Sequence, residues 1–70
     1  MGRHRLTVLS TRELEILQHI AEGEKERTVA EGLCLSLNTV KVHMRSVFRK
    51  LEARNAPHAV LIGLRRGLLQ

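Results

Sequence analysis

Residues 36–51, SLNTVKVHMRSVFRKL, constrain this chain more than any other stretch. Set at about 100° per residue, Val40, Met44, Val47 and Leu51 gather into a narrow apolar arc, with Leu37 and Phe48 at its edge. The opposite side carries Asn38, Lys41, Val42, Arg45 and Arg49, and no anion appears before Glu52. A solvated helix face ordinarily mixes signs, because opposite charges three or four residues apart stabilise it. A face of one sign, with short polar and apolar groups between its cations, suits the groove of a polyanion better than bulk water.

Charge is segregated along the whole chain. Residues 1–35 hold five basic and six acidic side chains, a net of −1, whereas residues 36–70 hold seven and one, a net of +6. A one-sided positive field of this kind selects nucleic acid or an acidic membrane as partner. No apolar run is long enough to span a bilayer. The single aromatic residue, Phe48, leaves almost nothing on which single-stranded bases could stack. The one cysteine excludes a disulfide framework and a cysteine zinc finger, and fits a reducing compartment. The basic start lacks an apolar stretch behind it and lacks the Ser or Thr of a myristoylation signal. The expectation is a soluble cytoplasmic domain.

The punctuation predicts four helices behind a short arm at residues 1–8, with one domain over 9–70. Ser10-Thr11-Arg12-Glu13 is a capping box, and Leu9 with Leu14 makes the matching hydrophobic staple. Leu14, Leu17, Ile20 and Ala21 form the stripe of the first helix, which Gly23 stops. The second helix, from about Lys25 to Leu33, buries Val29, Ala30 and Leu33 but has no good N-cap. Its Gly32 costs roughly 0.5–1 kcal/mol against Ala. Cys34-Leu35 is a short turn, and Ser36 caps the third helix, which runs to about Leu51. Asn55 caps the fourth helix, Pro57 lies in its first turn, and Gly67 ends it after Arg65 and Arg66. The apolar positions of that helix, Leu61, Leu64 and Leu68 among them, cover more than half its circumference. One wall of so small a domain needs only about 100°. The excess means a second contact surface or an edge left by a missing neighbour; a dimer seam is the reading preferred here.

Two short helices joined by a tight turn, the second with a cationic face, make a helix-turn-helix. Ala30 would sit at their closest approach. Cys34 takes the turn position that wants a small residue, and is expected to be a small buried hydrophobe. Three blocks then carry a family resemblance: LSTRELEIL at Leu9–Leu17, LSLNTVKVH at Leu35–His43, and the VFRKL…N…AV run from Val47 to Val60. Together they resemble the LuxR-type (GerE-like) DNA-binding domain of bacterial transcription regulators, over nearly the whole chain. The resemblance implies an all-α, four-helix helix-turn-helix fold and sequence-specific binding of double-stranded DNA. It implies base reading by Lys41, Val42 and Arg45, phosphate contacts from Thr39 and the cations around helices 2 and 3, and a homodimer through helix 4.

The chain departs from the family pattern at several points. Lys25-Glu26-Arg27-Thr28-Val29-Ala30 replaces a start such as SNKEIA, so a cap is lost while Lys25 and Arg27 still offer phosphate partners. Glu52 replaces a usual Gly, which predicts that helix 3 runs on past Leu51. Ala56 stands where an Arg usually follows the Asn, and Gly32 where a polar helix former is usual.

The side-chain chemistry agrees with these roles. Lys41 and Arg45 lie one turn apart on one face. Arg45 suits bidentate binding of guanine O6 and N7, Lys41 reaches the same acceptors as a point charge, and Val42 fits a thymine methyl. Asn38 and Thr39 lie in the first turn, where free helix amides favour a phosphate. Arg27, Arg49 and Lys50 are candidate backbone clamps, although Lys50 lies off the groove face. The dimer seam would draw on Leu61, Leu64, Arg65 and Leu68. His43 is expected to pack at the edge of the core. His4, His19 and His58 show no ligand spacing with one another or with Cys34, so neither a metal nor a cofactor is expected.

No carboxylate pair, Gly-rich phosphate loop or triad order points to catalysis, and the chain is read as no enzyme. Two other readings stay open: a protein-interaction module that docks a partner on helix 4, and a helix-turn-helix acting mainly on RNA polymerase. Seventy residues leave no room beside it for a receiver or ligand-binding domain of ordinary size.

Overall fold

The computed structural model describes residues 8–70. Four helices follow in order: α1 (Thr11–Ala21), α2 (Glu26–Leu33), α3 (Leu37–Leu51) and α4 (Ala56–Arg65). The arm expected at residues 1–8 lies outside the described residues except for Val8, which is exposed.

Side chains start three of the helices. Ser10 accepts the Glu13 amide at 3.1 Å while Glu13 accepts the Ser10 amide at 2.8 Å, closing the capping box. Ser36 accepts the Thr39 amide at 3.0 Å, and Asn55 Oδ1 accepts the His58 amide at 2.9 Å. The His58 ring returns the contact, its Nδ1 accepting the Arg54 amide. Only α2 starts without a side-chain cap, at Lys25. Packing of Val29 and Ala30, both buried, holds it instead.

All four helices end in the same way. A residue with positive φ follows each last turn: Gly23, Cys34, Glu52 and Gly67. The next amide then reaches back five residues, Glu24 to His19, Leu35 to Ala30, Ala53 to Phe48 and Leu68 to Gly63, at 2.8–3.2 Å. Helix α3 therefore does not run on past Leu51; Glu52 takes the glycine conformation at φ 56° and the helix stops there. Cys34 does the same at φ 58°, and its place at the apex of the turn leaves it exposed rather than buried.

Helix α3 is the hub, packing against α1, α2 and α4, while α2 and α4 do not meet. Its apolar arc of Val40, Met44, Val47 and Leu51 is buried as expected. On α1 the buried line is Glu13, Ile16 and Leu17, with Ile16 fully buried and Leu14 displaced to the flank. The C-terminal tail folds back, so that Leu69 is buried against Gly63, where a Cβ would lie 2.9 Å from the leucine side chain. Among the described residues no helix is long and apolar enough to cross a membrane.

Candidate nucleic-acid interface

The turn between α2 and α3 sets how α3 is presented. Leu35 N–H donates to Ala30 C=O at 2.8 Å, Ala30 is buried, and Ser36 begins α3 at once. With one side of α3 buried in the hub, its opposite side faces out: Asn38, Lys41, Val42, Arg45 and Arg49 are all exposed. Val42 is 48% exposed, an apolar group held in water within a charged face.

The individual side chains are not equally free. Thr39 is half-buried, and its Oγ1 accepts from the Ser36 hydroxyl at 2.8 Å, which leaves its own proton to donate outward. Lys25 and Arg27 are exposed at the start of α2. Among the described residues Lys25, Arg27, Arg45 and Arg49 have no carboxylate partner. Lys41 has one: its Nζ lies 3.0 Å from Glu26 Oε1 of α2.

Lys50 departs from the expected clamp. Its ammonium turns toward α1 and lies 2.9 Å from Glu13 Oε1, while Ser46 donates to Glu13 Oε2 at 2.6 Å. Position 50 sits beside the buried arc of α3, so its side chain meets α1 rather than the outer face. Glu13 is 5% exposed. Burial pushes its carboxyl up, but hydrogen bonds from the Ser46 hydroxyl and the Ser10 amide, with the Lys50 ammonium, outweigh this and hold it at about 2. The sequence reading found Glu13 as a cap and missed its grip on α3. Ser46 and Lys50, one turn apart at the edge of the apolar arc, were the available signal.

A second group, which His and Cys spacing alone does not reveal, pairs a histidine with two carboxylates. His19, Glu22 and Glu24 place ligand-type atoms within 4.8 Å of one another at the C-terminal end of α1. Hydrogen bonds account for the arrangement. His19 Nδ1 meets Glu24 Oε2 at 2.9 Å, and Glu22 accepts from Gln18. The bond to Glu24 raises the His19 pKa above its ordinary value, and a cationic ring suits the negative end of a helix.

The expected seam residues, on α4 and just after it, face outward. Leu61, Leu64 and Leu68 are 42%, 51% and 37% exposed, and Arg65 is exposed beside them. The inner side of that helix buries Ala59 and Gly63, with Ala56, Val60 and Ile62 half-buried against the core.

Comparison with known proteins follows the same lines. The family of bacterial regulatory proteins described as the luxR family matches residues 7–62. A transcriptional regulatory protein of Bacillus subtilis, YxjL, is 39% identical over 59 residues, covering 84% of this chain and 27% of its own length. The nitrate/nitrite response regulator protein NarP of Escherichia coli is 38% identical over 60 residues, 86% of this chain and 28% of its own. The oxygen regulatory protein NreC of Staphylococcus aureus is 40% identical over 63 residues, 90% of this chain and 29% of its own. The chain thus spans less than a third of the length of these relatives. From the braced turn, the exposed cationic helix and the extent of the match, the chain belongs to the luxR family of bacterial regulatory proteins, as its helix-turn-helix DNA-binding domain.

Proposed function

We propose that this domain reads specific double-stranded DNA with α3 lying in the major groove. Lys41, Val42 and Arg45 meet base edges, and Lys25, Arg27, Asn38, Thr39 and Arg49 hold the sugar-phosphate backbone. The observation that carries this reading is the outer face of α3: five exposed side chains, three of them cationic and none acidic, on a helix whose other side is fully packed. Guanine presents N7 and O6 to Arg45, and a thymine methyl fits Val42. The α3 N-terminus adds free amides for a phosphate. Lys50 takes no part, since its ammonium turns to Glu13 of α1 and the Val8 carbonyl, whereas Lys41 stays on the exposed outer face.

Two copies bind a two-fold site, joined through Leu61, Leu64 and Arg65 of α4 and Leu68 of the segment that follows it. The support is three exposed leucines at positions 61, 64 and 68, a spacing that sets them on one side of the chain's last helix and the turn after it.

Selection of bound duplexes from a random pool, followed by titration of the winner against salt, tests the reading. One sequence motif should be enriched. A complex with about four to six phosphate contacts should weaken with salt at a log–log slope of about −0.9 per contact. No enrichment, together with an affinity flat in salt, would remove DNA as the ligand and favour a protein partner.

A further inference from the structure

The outer face of the helix-turn-helix holds one engaged cation. Lys41 Nζ donates to Glu26 Oε1 at 3.0 Å, whereas Arg45 and Arg49 have no carboxylate partner among the described residues. The pair joins the first residue of α2 to the outward side of α3, and both side chains remain in solvent, 34% and 49% exposed. An exposed pair of this sort contributes little to folding. Its consequence lies in where it keeps the ammonium.

We propose, on the basis of the DNA-reading role above, that Glu26 is a positioning residue that sets the sequence specificity of Lys41. A free lysine is a poor reader. Its ammonium is a point charge on a flexible stem, and on any duplex it finds a phosphate that carries no sequence information. Three N–H donors let it do better when one is fixed. Glu26 takes one donor and leaves two for a pair of acceptors on the groove floor, the arrangement that guanine N7 and O6 present. A lone phosphate reached by leaving Glu26 offers no such gain, and strands a carboxylate beside the DNA charge. The pair therefore favours a base with paired acceptors and disfavours generic backbone contact, a penalty on wrong sites built into the reader.

Glu26→Gln keeps the shape and removes the charge. Affinities are measured for the selected duplex and for random duplex, across salt, in wild-type, Glu26→Gln, Lys41→Ala and doubly substituted proteins, each checked for helicity. The ratio of selected to random affinity should fall about two- to five-fold in Glu26→Gln, mainly through tighter binding to random DNA. The salt slope on random duplex should steepen by about one contact as Lys41 turns to a phosphate. Neither change should appear when Lys41 is already Ala. An unchanged or increased ratio, or the same change in the Lys41→Ala background, would overturn the proposal while DNA reading stands. A wild-type protein that enriches no sequence would overturn both.

Discussion

Glu13 of α1 and Lys50 of α3, thirty-seven positions apart, meet at 2.9 Å. The same carboxylate closes the capping box of α1 and accepts the Ser46 hydroxyl. One side chain thus starts the first helix and fixes the rotation of the third, and so the direction in which the cationic face points. Loss of that contact acts on folding first and on DNA only through it.

Glu13→Gln should lower the free energy of unfolding by about 1–3 kcal/mol near neutral pH, since a charge-assisted network is replaced by a neutral amide. Its pH dependence has a definite sign. The Glu13 pKa is depressed to about 2 in the folded chain, so its contribution is present above the ordinary value of 4.5 and fades as pH falls toward about 2. Urea unfolding at several pH values should show wild type losing its advantage over Glu13→Gln across that window. Parallel profiles would mean that this network does not lower the Glu13 pKa.

His19 has the opposite sense. Its pKa is raised by Glu24, so the pair contributes below the ordinary 6.5 and is lost as pH rises through the elevated value. Titration of the ring by NMR should place His19 above the ordinary 6.5. Glu24→Gln should return His19 to the ordinary range; a ring indifferent to that substitution would show that the contact is not formed in solution.

Two residues stand in each other's proper surroundings. Glu52 holds φ 56°, where an L side chain is strained and where an anion opposes the helix dipole. Gly32 lies inside α2, where a Cβ would meet nothing within 4 Å. Glu52→Gly should therefore stabilise the domain by about 1 kcal/mol, and Gly32→Ala by about 0.5–1 kcal/mol. Thermal midpoints decide the matter, and a fall in either would reveal a contact that the side chain or the glycine makes.

Four helices, three caps and the buried arc of α3 were legible in sequence because each rests on local chemistry: a side-chain oxygen three residues before an amide, or a period of 3.6. The contacts that were not legible join separate elements. Nothing local pairs Glu13 with Lys50, or Glu26 with Lys41, until the turn at Cys34 has set α2 against α3 and the core has set α1 against α3. Glu52 misled for a related reason. Its identity argues for continuing α3, but the Ala53 amide bound to Phe48 C=O and the packing of Ala53 against the core enforce a stop. The outward direction of Lys41, Val42 and Arg45 was foreseen from periodicity alone, since the face opposite a buried arc is exposed whatever its ligand.

The dimer seam proposed on α4 makes its own prediction. Leu64, at 51% exposed, sits mid-way between Leu61 and Leu68 in the row. Leu64→Glu places a charge where two copies would bury it, while in a monomer it stays in water. Analytical ultracentrifugation with and without a two-fold duplex should show the variant as monomer, occupying half-sites weakly, with unchanged thermal stability at low concentration. Dimers of undiminished mass would move the seam elsewhere on the surface.

Arg45 and Arg49 lie one turn apart on the same exposed face, yet the proposed roles differ, and DNA separates them. Arg45→Ala should weaken the selected duplex by about 1–3 kcal/mol, relax preference at one base position, and hardly change binding to random DNA. Arg49→Ala should weaken selected and random duplexes alike and flatten the salt slope by about one contact. Neither residue is part of the core, so both variants should unfold at the wild-type temperature. Equal losses on both duplexes for Arg45→Ala would make it a backbone clamp. That outcome would also shift the base-reading surface toward Lys41 and the first turn of α3, where Asn38 is the remaining exposed polar side chain able to meet a base edge.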